Sequence, residues 1–175
     1  MQFSGRRYAR MLIALGGAIS LAACSLFDDR EPSGPTPFDK TVVDDCYTVD
    51  LFDVAKVETP EAGVPAAWAA YSGKWGSAAW EGKWCHDLYV LRIASSGEVD
   101  VMDLHAPYEP WGKPATAFRR KGRIAKDGRL RIVKGSVVSE YWLENGRLYG
   151  LRREGAGEMR IALQPRVNSR IGKHL

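Results

Sequence analysis

The chain has 175 residues, 45% hydrophobic and 26% charged, with 25 Lys and Arg against 21 Asp and Glu. Three of the 25 basic residues fall within the first ten positions, leaving 22 against 21 acids and a nearly neutral remainder. The N-terminal apolar run, Met11 to Ala23, spans 13 residues. That is short of the ~20 that a membrane-crossing helix needs, which excludes this run as a helical anchor.

Arg6, Arg7 and Arg10 precede that run without an intervening acid, and small residues close it. A positive head, an apolar stretch and a small-residue cleavage site make an export signal over residues 1–23. Leu21-Ala22-Ala23-Cys24 resembles the lipobox of bacterial lipoproteins. The resemblance implies a thioether-linked diacylglycerol on Cys24, which becomes the acylated first residue after cleavage. Ser25 stands where an aspartate would retain such a protein at the inner membrane. The expected location is therefore the outer membrane, facing the periplasm, with acyl chains as the membrane contact.

Residues 24–40 hold three prolines and a glycine among charges and read as an extended tether. With Cys24 acylated, Cys46 and Cys85 remain, and an oxidising compartment favours one disulfide between them. It would close a loop of roughly 40 residues, stabilise by roughly 4 kcal/mol, and staple an N-terminal segment, 41–63, to the domain that follows. Thr41 to Val57 alternates loosely, as an added strand or a lid would. Pro65 to Tyr71, proline followed by alanines, predicts a short helix ending near Gly73.

Residues 64–168 read as the folded domain and 169–175 as a tail. The predicted strands are Lys74 to Trp80, Leu88 to Ile93, Val99 to Leu104, Ala115 to Ile124, Arg129 to Val133, Val137 to Leu143, Arg147 to Arg152 and Met159 to Leu163. Turn chemistry separates them, as at Ser95-Ser96-Gly97, Lys126-Asp127-Gly128 and Asn145-Gly146. About eight consecutive antiparallel strands bury their edges best by closing, so the predicted fold is all-β, a small up-and-down barrel after a short helix and a tether.

Gly73-Lys74-Trp75 opens the first strand directly after the predicted helix. This G-x-W arrangement is similar to the start of lipocalins and the wider calycin group, which includes avidins and fatty-acid-binding proteins. The resemblance spans roughly residues 64 to 168. It implies that Trp75 plugs the barrel floor and that an arginine of a late strand, Arg160 or Arg166, packs across it. The domain is shorter than typical members and lacks their later signatures, so a filled barrel or an open sandwich also fits.

Six tryptophans suit a small core, and Trp80 and Trp84 also suit a stacking platform or the rim of an apolar ligand site. Trp111 is the foremost ligand candidate, because the loop Ala106 to Pro114 is otherwise polar and could close a barrel mouth. In Arg119-Arg120-Lys121-Gly122-Arg123, alternation turns Arg120 inward beside Phe118 and Ile124. There it would meet a buried acid or a ligand carboxylate or phosphate, unless the basic run is instead a strand edge guarded by charge against aggregation. Asp100 and Asp103 point to opposite faces, and His86, His105 and His174 show no partner spacing. No hydrolase, metal or phosphate-loop motif occurs, so no catalytic residue, metal or cofactor is expected.

Residues 66–175 carry nineteen bases against eleven acids. A basic module in the envelope lies beside anionic lipid and peptidoglycan, whereas nucleic acid is not an expected partner there. Two functions follow. One is a lipid-anchored barrel that binds a small hydrophobic or anionic envelope ligand; the other is a filled barrel that docks an envelope protein or peptidoglycan as an accessory or inhibitor.

Overall fold

A computed structural model describes residues 36–168. The export signal, Cys24, most of the tether and the tail beyond 168 lie outside the described residues. Alternating inward apolar positions and glycine-bearing turns build β1 Gly73–Trp80, β2 Trp84–Ile93, β3 Glu98–His105, β4 Thr116–Ile124, β5 Leu130–Lys134, β6 Val137–Glu144, β7 Arg147–Glu154 and β8 Gly157–Pro165. Each pairs antiparallel with the next. β8 returns to β1 through Trp75 with Pro165 and Gly76 with Gln164, so the sheet closes into a barrel. The turn between β6 and β7 has Asn145 at φ 50° and Gly146 at φ 75°, the left-handed pair that a two-residue hairpin needs.

The interior is filled. Trp75, Trp80, Leu88, Tyr141, Leu148 and Ile161 belong to one buried cluster. A methyl group at Gly150 would lie 2.7 Å from the Tyr141 ring, so only glycine lets that ring rest on β7. One end of the barrel is sealed. Pro65 leads into the one-turn helix α1, Ala66–Ala69, and Gly73 then turns the chain into β1 with φ at 135°. Trp75 points inward, its indole Nε1 donating to the Tyr71 carbonyl at 2.9 Å, and the Tyr71 hydroxyl donates to the Gly128 carbonyl at 2.7 Å.

The segment expected to add a strand or a lid does neither. It meets the sheet at scattered points only: Val42 bridges to Ala78, and the N–H groups of Val43, Glu58 and Glu61 donate to the carbonyls of Ser77, Leu91 and Ile93 at 3.0, 2.7 and 3.2 Å. It runs instead as a strap over the outer face, where Val49, Leu51, Phe52 and Ala55 cover Tyr89, Leu91, Met102 and Leu104 of β2 and β3. The Cys46–Cys85 disulfide fastens it, with Cα atoms 5.3 Å apart.

The tether is also shorter than its composition suggests. From Thr36 onward the chain is docked, because Phe38 in the 3-10 turn Phe38–Thr41 stands edge-on to Trp142 at 5.8 Å and to Tyr149 at 5.1 Å. Proline and charge density therefore mark the tether only up to the point where an aromatic ring finds an apolar outer face.

Replacing both cysteines, Cys46→Ser with Cys85→Ser, is expected to lower the unfolding free energy by up to about 4 kcal/mol and to speed amide exchange in residues 46–58. Denaturant unfolding with hydrogen exchange reads both, and an unchanged midpoint would show that the strap adds no stability.

Candidate functional site

At the end of the barrel opposite Trp75, the interior becomes polar. Alternation along β2 that turns Leu88 inward also turns His86 inward, and in β3 the same holds for Asp103 and His105 beside Val101. Strand pairing sets His86 opposite His105 and Asp103 opposite Phe118. From β4 Arg120 reaches in, its Nε donating to Asp103 Oδ2 at 2.6 Å. His105 Nε2 lies 3.1 Å from Asp103 Oδ1; a carboxylate only accepts, so Nε2 carries the proton. His86 Nδ1 donates to the Leu104 carbonyl at 2.9 Å, which leaves Nε2 to accept from the Tyr141 hydroxyl at 3.2 Å. The rings stack in series, Trp84 on His105 at 4.3 Å and His105 on His86 at 4.6 Å.

Burial fixes the charge states. It pushes His86 down to about 3, with the neighbouring His105 adding to the shift and Asp103 opposing it, so His86 is neutral. Burial likewise pushes the Tyr141 phenol far above its usual value, which keeps it a donor. For Asp103 burial disfavours the anion, but the hydrogen bonds from His105 and Arg120 overcome it. Its carboxyl is held well below the ordinary range.

Above this cluster lies a recess of about 110 Å³ lined by Trp84, Asp103, His105, Phe118 and Arg120, with Lys113, Lys134 and Arg152 around it. Arg120 is bonded to Asp103 and Arg152 also reaches Glu154 at 3.4 Å, while Lys113 and Lys134 have no carboxylate partner among the described residues. The basic run on the outside is different, since Lys121 pairs with Asp100 at 2.5 Å and Arg131 with Asp127 and Glu140 at 2.5 and 2.8 Å.

His86, Asp103 and His105 offer three ligand atoms within 4.8 Å of one another, close enough for a metal. The fit is poor. Both His86 nitrogens and both Asp103 oxygens already hold hydrogen bonds, and the cations of the mouth would repel a further one.

Of the residues singled out from the sequence, Trp84 lines the recess and Trp111, half exposed, stands edge-on to it at 5.7 Å. Trp80 does not reach the recess; it is buried at 1% exposure and tilted against His86 at 5.3 Å. Arg120 turns inward and meets a buried acid, the first of the two partners open to it. Gly73 and Trp75 lie at the sealed end. Arg160 is on the outer face, with its guanidinium 5.6 Å from the Phe38 ring, because Ile161 and Leu163 take the inward positions of β8. Arg166 is bound to Asp87 at 2.5 Å and Tyr89 at 2.7 Å.

The reading of the histidines as partnerless is corrected by register. His86 and His105 are 19 positions apart in sequence yet directly opposed, a relation visible only once the β2–β3 hairpin is placed. Arg152 and Lys134 were missed for the same reason.

Two outcomes follow. His86 binds its proton less readily folded than unfolded, so the unfolded chain takes up more protons between about pH 6.5 and about pH 3. Stability is full above the unfolded value and falls as pH drops, by roughly 2 kcal/mol from pH 7.5 to pH 5, a slope that His86→Phe should flatten in chemical unfolding. Arg120→Ala should cost about 3 kcal/mol by stranding the Asp103 charge, and Arg120→Ala with Asp103→Asn should recover part of it.

No protein-family model matches the chain, and no curated protein or solved structure matches it closely enough to lend it a family.

Proposed function

We propose that this protein is a lipoprotein held at the periplasmic face of the outer membrane through Cys24, and that the mouth of its barrel binds a small anionic ligand. The observation that carries this reading is the charge imbalance of the recess, whose lining holds Lys113, Arg120, Lys134 and Arg152 against Asp103, with Glu154 beside Arg152 as the one further acid in contact. Inward guanidinium groups are costly to desolvate, and an incoming carboxylate or phosphate would offset that cost through paired N–H donors.

Size sharpens the ligand. About 110 Å³ is well under the ~300 Å³ at which small-molecule pockets begin, so an anionic head enters while the rest of the ligand lies against Trp84, Phe118 and Trp111. A packed interior gives no support to a carrier of long apolar chains. Neither a cofactor nor a catalytic step forms part of the reading.

A second reading keeps the same mouth and changes the partner to an envelope protein or peptidoglycan. It is favoured by the exposure of Trp111 and Phe118, 52% and 44%, at the rim of a filled barrel. Aromatic anchors with neighbouring cations suit such docking.

The protein purified from the envelope is to be titrated calorimetrically with inorganic phosphate and glycerol 3-phosphate, and its native mass spectrum searched for a retained ligand. Arg152→Glu should weaken binding by about tenfold or more, whereas Arg153→Glu, on the outer face of β7, should leave it unchanged. Absence of any anion binding would defeat the first reading and leave the docking one, to be pursued by cross-linking through the rim.

A further inference from the structure

We infer that the anion taken by the mouth is the phosphate of a lipid in the membrane to which the chain is anchored, so that the barrel docks mouth-first on an anionic phospholipid surface. The inference rests on the reading of the mouth as an anion site, and adds what the anion is attached to and which way the barrel faces.

The first observation is where the described chain begins. The backbone N–H of Thr36 donates to Glu81 Oε2 at 3.0 Å, while Oε1 of the same carboxylate accepts from the Arg160 N–H at 2.6 Å. Glu81 lies in the turn between β1 and β2, and that turn belongs to the mouth end, next to Trp84. The chain is therefore pinned at the mouth end of the barrel.

The second is length. Only residues 24–35 separate Cys24 from that pin, which at full extension is at most about 40 Å. The mouth is the nearer end of the barrel to the anchor. The sealed end is farther by the length of an eight-residue strand, roughly 25 Å.

The third is chemistry. Lys113, Arg120, Lys134 and Arg152 present a cationic mouth, and anionic headgroups attract such clusters within a Debye length. Trp111, Phe118 and Val133 are exposed at the same end, at 52%, 44% and 64%. An indole among headgroups and apolar side chains just below them is the arrangement of an interfacial surface. A recess of about 110 Å³ admits a phosphate and leaves the lipid's chains in the bilayer.

The test uses the protein as purified from the envelope, mixed with vesicles of phosphatidylcholine alone or of equal parts phosphatidylcholine and phosphatidylglycerol, each with brominated acyl chains. Tryptophan quenching is read by difference against Trp111→Phe. We expect quenching of the Trp111 component several-fold stronger in the phosphatidylglycerol vesicles. It should fall to the neutral-vesicle level in Lys134→Glu with Arg152→Glu, and persist in Lys126→Glu, which places its charge change at the sealed end. Equal quenching in both vesicle types, or equal loss in Lys126→Glu, would overturn the inference. Glycerol 3-phosphate in solution separates the two levels of the argument. If it binds at the mouth but Trp111 is not quenched, the anion site stands and membrane docking falls; if neither occurs, both fall.

Discussion

Two residue pairs, Trp75 with Pro165 and Gly76 with Gln164, turn an eight-stranded ribbon into a closed surface, and the rest of the molecule follows from that closure. A closed sheet has an inside and an outside and no free edge. Every strand must then commit alternate residues to a lumen that side chains fill. Anything added to the barrel has to bind its outer face. The strap over β2 and β3 does so, with an apolar contact layer of its own, a disulfide and a few isolated backbone hydrogen bonds in place of a continuous ladder.

Closure also creates a gradient along the lumen. Near the sealed end, Trp75, Leu148 and Leu163 make an ordinary core. Toward the mouth the same inward positions carry His86, Asp103, Arg120 and Arg152. A carboxylate there is tolerable because His105 and Arg120 share its two oxygens. The histidines are tolerable because stacking and burial keep His86 neutral. The polar cluster is thus bonded below except at His105 Nδ1, which is buried without a hydrogen-bond partner, and is open above, where the cations are in excess.

Much of the architecture was legible in the sequence because it depends on local signals. Asn145-Gly146 fixes a hairpin by backbone conformation alone, and alternation over Met159, Ile161 and Leu163 orients β8. The inward turn of Arg120 followed from the same alternation, and Cys46 and Cys85 left one pairing once Cys24 was assigned to the lipobox. The site was less legible. Which histidine faces which depends on hairpin register, and β2 carries an irregularity between Val90 and Arg92 that no local pattern announces. The strap eluded an alternation test because it covers Tyr89 and Leu91 through side chains and touches the β2 backbone only at isolated bonds such as that from the Glu58 N–H to the Leu91 carbonyl. Arg160 was misplaced for a simpler reason, since the analogy supplied an arginine near Trp75 while the alternation of β8 itself turned that residue outward.

The docking of the N-terminal segment has a mechanical side. The seam between β1 and β8 has two ladder pairs, with further bonds from the Arg166 N–H to the Lys74 carbonyl at 2.7 Å and from the Glu81 N–H to the Arg160 carbonyl at 3.0 Å, whereas β3 and β4 share eight pairs. The incoming chain crosses this seam like a lace. Glu81 ties Thr36 to Arg160, the Thr41 hydroxyl accepts from the Ala162 N–H on β8 at 2.8 Å, and Val42 then bridges to Ala78 on β1. A pull on the segment before Thr36 is therefore delivered to both strands at once, through contacts on either side of the shortest ladder of the barrel.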